Sequence, residues 1–241
     1  MSFWMQTFSY KALRRFADLI TVYETEMGRS IADFFDGKPP VMFVKNGIDD
    51  SLGLASPKEY DLISVGGLRD SKGTLTSIKL CACIKARIPD VKMVLIGAGT
   101  VDYMKAVREA INDLGLTENI TILGHLSQEI VYTFLSSSRF FVTCSQEEGW
   151  GIAVHEALIN RTPVIGFELP AFGRIREFCT LVPQGDISAL CDAFLRDYHD
   201  YGNSDQLGRI ERGYSYASKL TWQQVLDPEI QVIAALFHGA R

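Results

Sequence analysis

An α/β fold built on a doubly wound parallel sheet is what this sequence predicts. From residue 61 onward, short β-branched or apolar runs alternate with longer segments whose apolar residues recur three and four apart. Strands and helices alternating at these lengths imply a parallel sheet covered by helices on both faces. Composition supplies the core: 47% of the 241 residues are hydrophobic and 22% charged, which are ordinary globular values.

The first 57 residues stand outside the rhythm. Residues 12–35 (ALRRFADLITVYETEMGRSIADFF) read as a helix, a short extended piece at 19–23 and a second helix; residues 39–49 (PPVMFVKNGID) read as a strand followed by a turn at Asn46-Gly47. One strand and one or two helices cannot enclose a core. This part is therefore expected to expose apolar faces when alone, notably Trp4, Phe8, Phe16, Phe34 and Phe35. Strands follow at 62–66 (LISVG), 92–97 (KMVLIG), 120–123 (ITIL), 140–143 (FFVT), 163–167 (PVIGF) and 180–183 (TLVP). Helices are expected at 73–88, at 101–115 with Gly115 as C-cap, at 127–138 behind a Ser cap and at 186–198 behind an Asp cap. The tail at 221–240 reads as helical, broken near Pro228.

The totals narrow the function. A net charge of −5 argues against nucleic-acid binding, which needs clustered cations to displace the counterions of phosphates. The five cysteines are odd in number and lack zinc-site spacing, so they read as reduced cysteines of a cytoplasmic protein. No apolar run reaches the roughly 18 residues of a membrane span, and the N-terminus has no signal-peptide pattern.

Ligands of such sheets bind at the C-terminal ends of the strands, so each strand-to-helix loop is a candidate site. The most informative loop leads into EEGWGIAVHEAL, residues 147–158. Gly149 and Gly151 stand where the chain enters a helix near Ile152, leaving its first N–H groups open to an anion such as phosphate. Carboxylates repel phosphate, so Glu148 and Glu156 need other work. A carboxylate is a pure acceptor, and the vicinal hydroxyls of a sugar are matching donors. A diphosphate joining two sugars meets both demands, with Glu156 on a ribose and Glu148 on a second sugar. The plain alternative is a tight turn followed by a Glu that favours the helix dipole. In a second loop, GGLRDSKG (66–73), Gly66 and Gly67 precede Arg69, and Lys72 lies next to a helix start at Gly73. The GAG at 97–99 is weaker and more often serves a turn. His125 can line a base slot, and His155 is expected to pack or face water.

These residues give the sequence a resemblance to the family 4 glycosyltransferases, retaining nucleotide-sugar enzymes of the GT-B fold. It runs from about Asn46 to about Trp222, through NGID, SVGGLRDSKG, VLIGAG, ITILGHLS and EEGWGIAVHEALINRTPVIGF, the last matching the family's E-x7-E segment. The resemblance implies the Rossmann-like donor half of a GT-B glycosyltransferase at 58–222, a remnant of the acceptor domain and linker at 1–57, and a C-terminal crossing helix at 223–241. It implies that Glu156 binds the donor ribose, that Glu148 contacts the donor sugar or its phosphates, and that Lys72 neutralises the diphosphate. Backbone amides near Gly149, Trp150 and Gly151 would lie over the donor, with a base slot at Gly124, His125 and Leu126. Two departures stand out. Gly67 occupies a position where the family usually carries Arg, with Arg69 two residues on, and LPAFGRIRE (169–177) matches the family's Gly-Gly-x-x-E turn only loosely.

The function expected is thus a hexosyltransferase-type donor domain, needing no metal and no other cofactor, which binds a nucleoside diphosphate sugar. Its acceptor domain would be missing or separate, and the exposed N-terminal aromatics allow peripheral membrane contact. The alternative is a catalytically inactive nucleotide-sugar-binding or regulatory protein. A nucleotide-sugar epimerase of related fold is a third reading, disfavoured because both of its domains would also be needed.

Overall fold

The computed structural model describes residues 15–23, 26–50 and 56–239. They form two compact units, one holding the chain up to Ile48 together with the chain from Leu220 onward, the other running from Asp49 to Lys219.

In the first unit β1 (Ile20–Tyr23) and β2 (Val41–Val44) pair in parallel, Ile20 opposite Val41, with α1 (Glu26–Phe35) between them. The extended piece expected at 19–23 is thus a second strand. A run of four residues cannot be told from a linker until its partner is known. The turn expected at Asn46-Gly47 does not form. Asn46 instead accepts a hydrogen bond from the Tyr23 hydroxyl at 3.0 Å, and Ile48 donates its N–H to the Leu220 carbonyl at 2.8 Å and bridges Thr221. Gly47 serves close packing, since a Cβ there would stand 2.4 Å from the Trp222 ring. Phe16 and Phe34 are exposed as expected, but Phe35 is fully buried. Adjacent helical residues point about 100° apart, so Phe34 and Phe35 cannot share a face. Trp4 and Phe8 lie outside the described residues.

The second unit holds β3 (Tyr60–Val65), α2 (Thr74–Lys85), β4 (Met93–Ile96), α3 (Val101–Asp113), β5 (Ile120–Gly124), α4 (Gln128–Ser136), β6 (Ser138–Thr143), α5 (Ile152–Ile159), β7 (Val164–Phe167), β8 (Cys179–Val182), α6 (Ile187–His199) and α7 (Ser204–Ala217). Its strands form one parallel sheet in the order β5-β4-β3-β6-β7-β8, the doubly wound fold expected. Every residue of β4 and β7 is buried, as strands covered on both faces must be. Leu62, Met93, Phe140, Ile165 and Phe194 belong to one core cluster.

Three helix ends differ from the sequence reading. α3 stops at Asp113, with Leu114 rather than Gly115 in the C-cap position. α2 stops at Lys85 rather than 88, because Pro89 disfavours helical geometry in the residue before it. α4 stops at Ser136, and β6 begins at Ser138, two residues earlier than expected. The Ser138 hydroxyl donates to the Phe134 carbonyl at 2.7 Å, and Lys58 donates to the carbonyls of Ser136 and Ser138 at 2.8 and 2.9 Å. Cations on the last carbonyls are a natural helix stop. Burial and the neighbouring Arg139 lower the Lys58 pKa to about 8. All five cysteines are free; four are buried and Cys83 is exposed.

In the first unit again, α8 (Trp222–Gly239) runs unbroken through Pro228. A proline within a helix removes one donor and bends the axis, and the turns on either side carry the helix across it. Trp222, Leu226, Ile230 and Ile233 are exposed along α8, three and four residues apart. Among the described residues no helix is long and apolar enough to cross a membrane.

Candidate functional site

The strand order fixes where a ligand crevice opens. The chain builds from β3 outward to β5, then returns to β3's other side and builds from β6 to β8. At the C-terminal ends of neighbours β3 and β6 the succeeding loops part in opposite directions, the usual ligand position in such sheets. Those loops are 66–73 and 144–151.

The helices that start around this end are of two kinds. Thr100 and Asp186 cap α3 and α6 by accepting the N–H of Tyr103 and Ala189. No side chain caps α2, α4 or α5, whose N-cap residues are Gly73, Ser127 and Gly151. Ser127 stands where its cap was expected, yet its hydroxyl does not close the helix. Among the described residues the N–H groups of Gly149, Gly151, Ile152 and Ala153 donate to no acceptor. They remain available to an anion.

Close contacts hold the two loops together. The Gln146 N–H donates to the Ser71 carbonyl at 2.9 Å, and its side chain donates to the Asp70 carbonyl at 3.3 Å. Gly73, at φ 65°, lies so close to β6 that a Cβ would meet the Cys144 carbonyl oxygen at 2.0 Å. Gly151, at φ 80°, would drive a Cβ to 2.7 Å from the Phe172 ring. Gly149 has nothing within 4 Å of such a Cβ and faces open space. Gly97 lets the Gly66 carbonyl pass, so the GAG segment packs one loop on another.

The charged groups sit on this frame. Lys72 and Glu148 meet at 2.6 Å, and the Ser145 hydroxyl donates to the same Glu148 oxygen, Oε1, at 2.8 Å. Arg69 donates through Nε to the Ser71 hydroxyl at 3.2 Å. Its guanidinium lies over Gly67, Nη1 being 3.4 Å from where a residue-67 Cβ would stand. The space of a side chain at 67 is therefore bordered by a cation from 69. Glu156 does not touch Glu148; its Oε1 accepts the Gln128 amide at 2.7 Å. Burial raises the Glu156 pKa, the Gln128 amide pulls it down, and the Asp49 charge raises it again.

Trp150 points inward. Its indole is buried and stacks on His155 with centroids 5.1 Å apart and 14° between planes. His155 Nδ1 lies 2.9 Å from the Gly151 carbonyl; a carbonyl only accepts, so Nδ1 carries the hydrogen. Burial lowers the His155 pKa, and the ring is a neutral wedge under the turn. The Gly124 carbonyl accepts the Gly97 N–H at 2.7 Å, His125 is exposed and Leu126 half-buried. Sequence reasoning missed Ser145 and Gln128. Ser145 lies three residues before Glu148, a spacing that offered a signal; Gln128 lies 28 residues before Glu156 and offered none. Among the described residues no three His, Cys, Asp or Glu side chains gather to hold a metal ion.

Residues 50–209 match the family model described as glycosyl transferases group 1. Over 92% of its length the chain is 23% identical to the GDP-mannose:cellobiosyl-diphosphopolyprenol alpha-mannosyltransferase of Xanthomonas oryzae pv. oryzae, covering 60% of that protein. It is 26% identical, over 58% of its length, to the GtfA subunit of the UDP-N-acetylglucosamine–peptide N-acetylglucosaminyltransferase of Streptococcus pneumoniae, covering 27% of it. Among solved structures, sucrose-phosphate synthase from Thermosynechococcus elongatus superposes with a TM-score of 0.81 at 20% identity, over 98% of this chain and 62% of that one. Anabaena HepE in complex with UDP and glucose gives 0.78 at 18%, over 95% and 66%. These likenesses show the fold, and the chain spans at most 60% of the two curated relatives named.

Proposed function

The chain belongs to the group 1 glycosyl transferases, and on that premise we propose that it is the donor-binding part of a retaining, hexosyltransferase-type glycosyltransferase. In this reading it binds a nucleoside diphosphate sugar in the crevice between β3 and β6. The carrying observation is the pairing of the open N–H groups of Gly149, Gly151, Ile152 and Ala153 with Lys72 and two carboxylates, Glu148 and Glu156. An ammonium has three donors, and Glu148 uses one of those on Lys72, so two remain for a pyrophosphate. Arg69 supplies a second cation in place of one at 67. Fixed positive charge on the departing diphosphate then carries the chemistry, with no role assigned to a metal. Glu156 takes the ribose, Glu148 a hydroxyl of the donor sugar, and the loop at Gly124, His125 and Leu126 borders the base.

Residues 1–57 are the end of an acceptor half and 223–241 the helix that returns to it, with 58–222 as donor domain; the rest of the acceptor half lies in a longer chain or a separate one. The length of the relatives supports this. A cytoplasmic location belongs to the same proposal, as does peripheral membrane contact through the exposed aromatics.

Calorimetric titration with GDP and UDP, the nucleotides in the names of the relatives, tests the reading. Binding that weakens for Lys72→Ala and Glu156→Ala is expected, and indifference of the wild-type chain to every nucleoside diphosphate would sink it. A second reading, a nucleotide-sugar-binding protein without catalysis, rests on Gly67. Donor turnover after adding a candidate acceptor-domain chain decides between the two.

A further inference from the structure

Resting on the donor reading above, we propose that Gln128 is a positioning residue for nucleotide recognition: its side-chain amide fixes the Glu156 carboxylate so that it can accept the hydroxyls of the donor's ribose. Gln128 is the first residue of α4, at a helix start that no side chain caps, and it reaches α5 from there. The Nε2 to Oε1 distance of 2.7 Å is that of a short, charge-assisted bond. A carboxylate only accepts, so the amide nitrogen must face it, and the pairing sets the orientation of the Gln128 amide. Among the described residues Glu156 Oε2 has no hydrogen-bond partner, so it is the oxygen left to a ligand.

The surroundings make this donor matter. The titratable groups facing Glu156 are Asp49 and Tyr132, neither of them a cation, and Tyr132 spends its hydroxyl on the Asp49 carbonyl at 3.2 Å. Burial and the Asp49 charge favour the protonated acid, and the Gln128 amide is the group that opposes them. Without it the carboxyl gains rotamer freedom and holds its proton to higher pH. A protonated carboxyl has lost acceptor capacity toward a diol.

The test uses the whole chain and three probes: GDP, UDP and the 2′-deoxy form of whichever binds tighter. The wild-type protein is expected to prefer the ribonucleotide by about tenfold, the effect of one hydrogen bond to a charged group. Gln128→Met keeps the side chain's length and removes its donor. It should lose most of that preference by weakening the ribonucleotide alone, and the pH at which ribonucleotide affinity is half-developed should rise. Gln128→Ala should behave alike, and Glu156→Ala combined with Gln128→Met should be no worse than Glu156→Ala. Equal weakening of both nucleotides, or an unchanged preference and pH profile, overturns the role of Gln128 while leaving the donor reading intact. A wild-type chain that binds neither GDP nor UDP overturns both.

Discussion

At the same end of the same sheet, the helices after β4 and β6 start in opposite ways. α3 begins behind Thr100, whose hydroxyl accepts the Tyr103 N–H, and its first turn is closed on itself. α5 begins behind Gly151, which has no side chain to offer and holds φ 80°, and its first N–H groups are left open. The backbone problem is identical in the two places, four donors without helical partners. Where the protein needs only stability it spends a threonine. Beside the crevice it keeps a glycine, forgoing a few tenths of a kcal/mol of cap energy. The contrast separates residues that hold the fold from residues that hold a ligand.

The largest effect is expected from filling a glycine of the crevice. Gly73→Ala forces a Cβ to 2.0 Å from the Cys144 carbonyl at a left-handed φ, and a loss on the order of 3 kcal/mol in chemical denaturation is expected. Gly149→Ala, where nothing lies within 4 Å, should leave stability within about 0.5 kcal/mol and show its effect in nucleotide titration. Next comes Lys72→Ala, which removes a cation from a partly enclosed site and strands Glu148; nucleoside diphosphate affinity should fall about a hundredfold. Thr100→Ala is the control on the other side. It should cost about 1 kcal/mol of stability with nucleotide affinity unchanged, and a fall matching that of Lys72→Ala would dissolve the distinction between the two helix starts.

Smaller still is a pH effect with two opposite signs. The Glu156 pKa is raised in the folded chain, so its contribution to stability is fully present below the unfolded carboxyl value and is lost as pH rises through the folded one. Nucleotide affinity should move the other way, rising as the carboxylate forms. Glu156→Gln should flatten both curves over that window. Arg161→Gly is expected to give a small change, in stability alone. Arg161 sits at φ 53°, paired with Glu211 at 2.7 Å and lying 3.5 Å over the Tyr214 ring. Relief of left-handed strain and loss of these surface contacts nearly cancel, leaving stability within about 1 kcal/mol by thermal melting.

Much of this was legible in the sequence where the physics is local. Strands buried on both faces must be continuously apolar, so the runs at 92–97 and 163–167 announced β4 and β7. Glycines that admit a neighbouring backbone are legible as glycines, though which neighbour is not: the Gly66–Gly97 approach joins loops 31 residues apart only through the β3–β4 pairing. Contacts between distant segments stayed hidden. Nothing in the sequence singles out Gln128, and only the packing of α4 beside α5 gives it a carboxylate to hold. The fold-back of Arg69 over Gly67 depends on a loop conformation that no periodicity records. Asn46-Gly47 misled because a dipeptide's turn preference yields when Tyr23 and Trp222 claim its side chain and its bare Cα.

The stack of Trp150 on His155 gives the protein its own optical probe. Of three tryptophans, this one lies buried against an imidazole directly beneath the turn whose N–H groups stand open. Whatever presses on that turn must shift the indole against its neighbour, so the emission of a chain in which Trp4 and Trp222 are replaced by Phe would register occupancy without any added label.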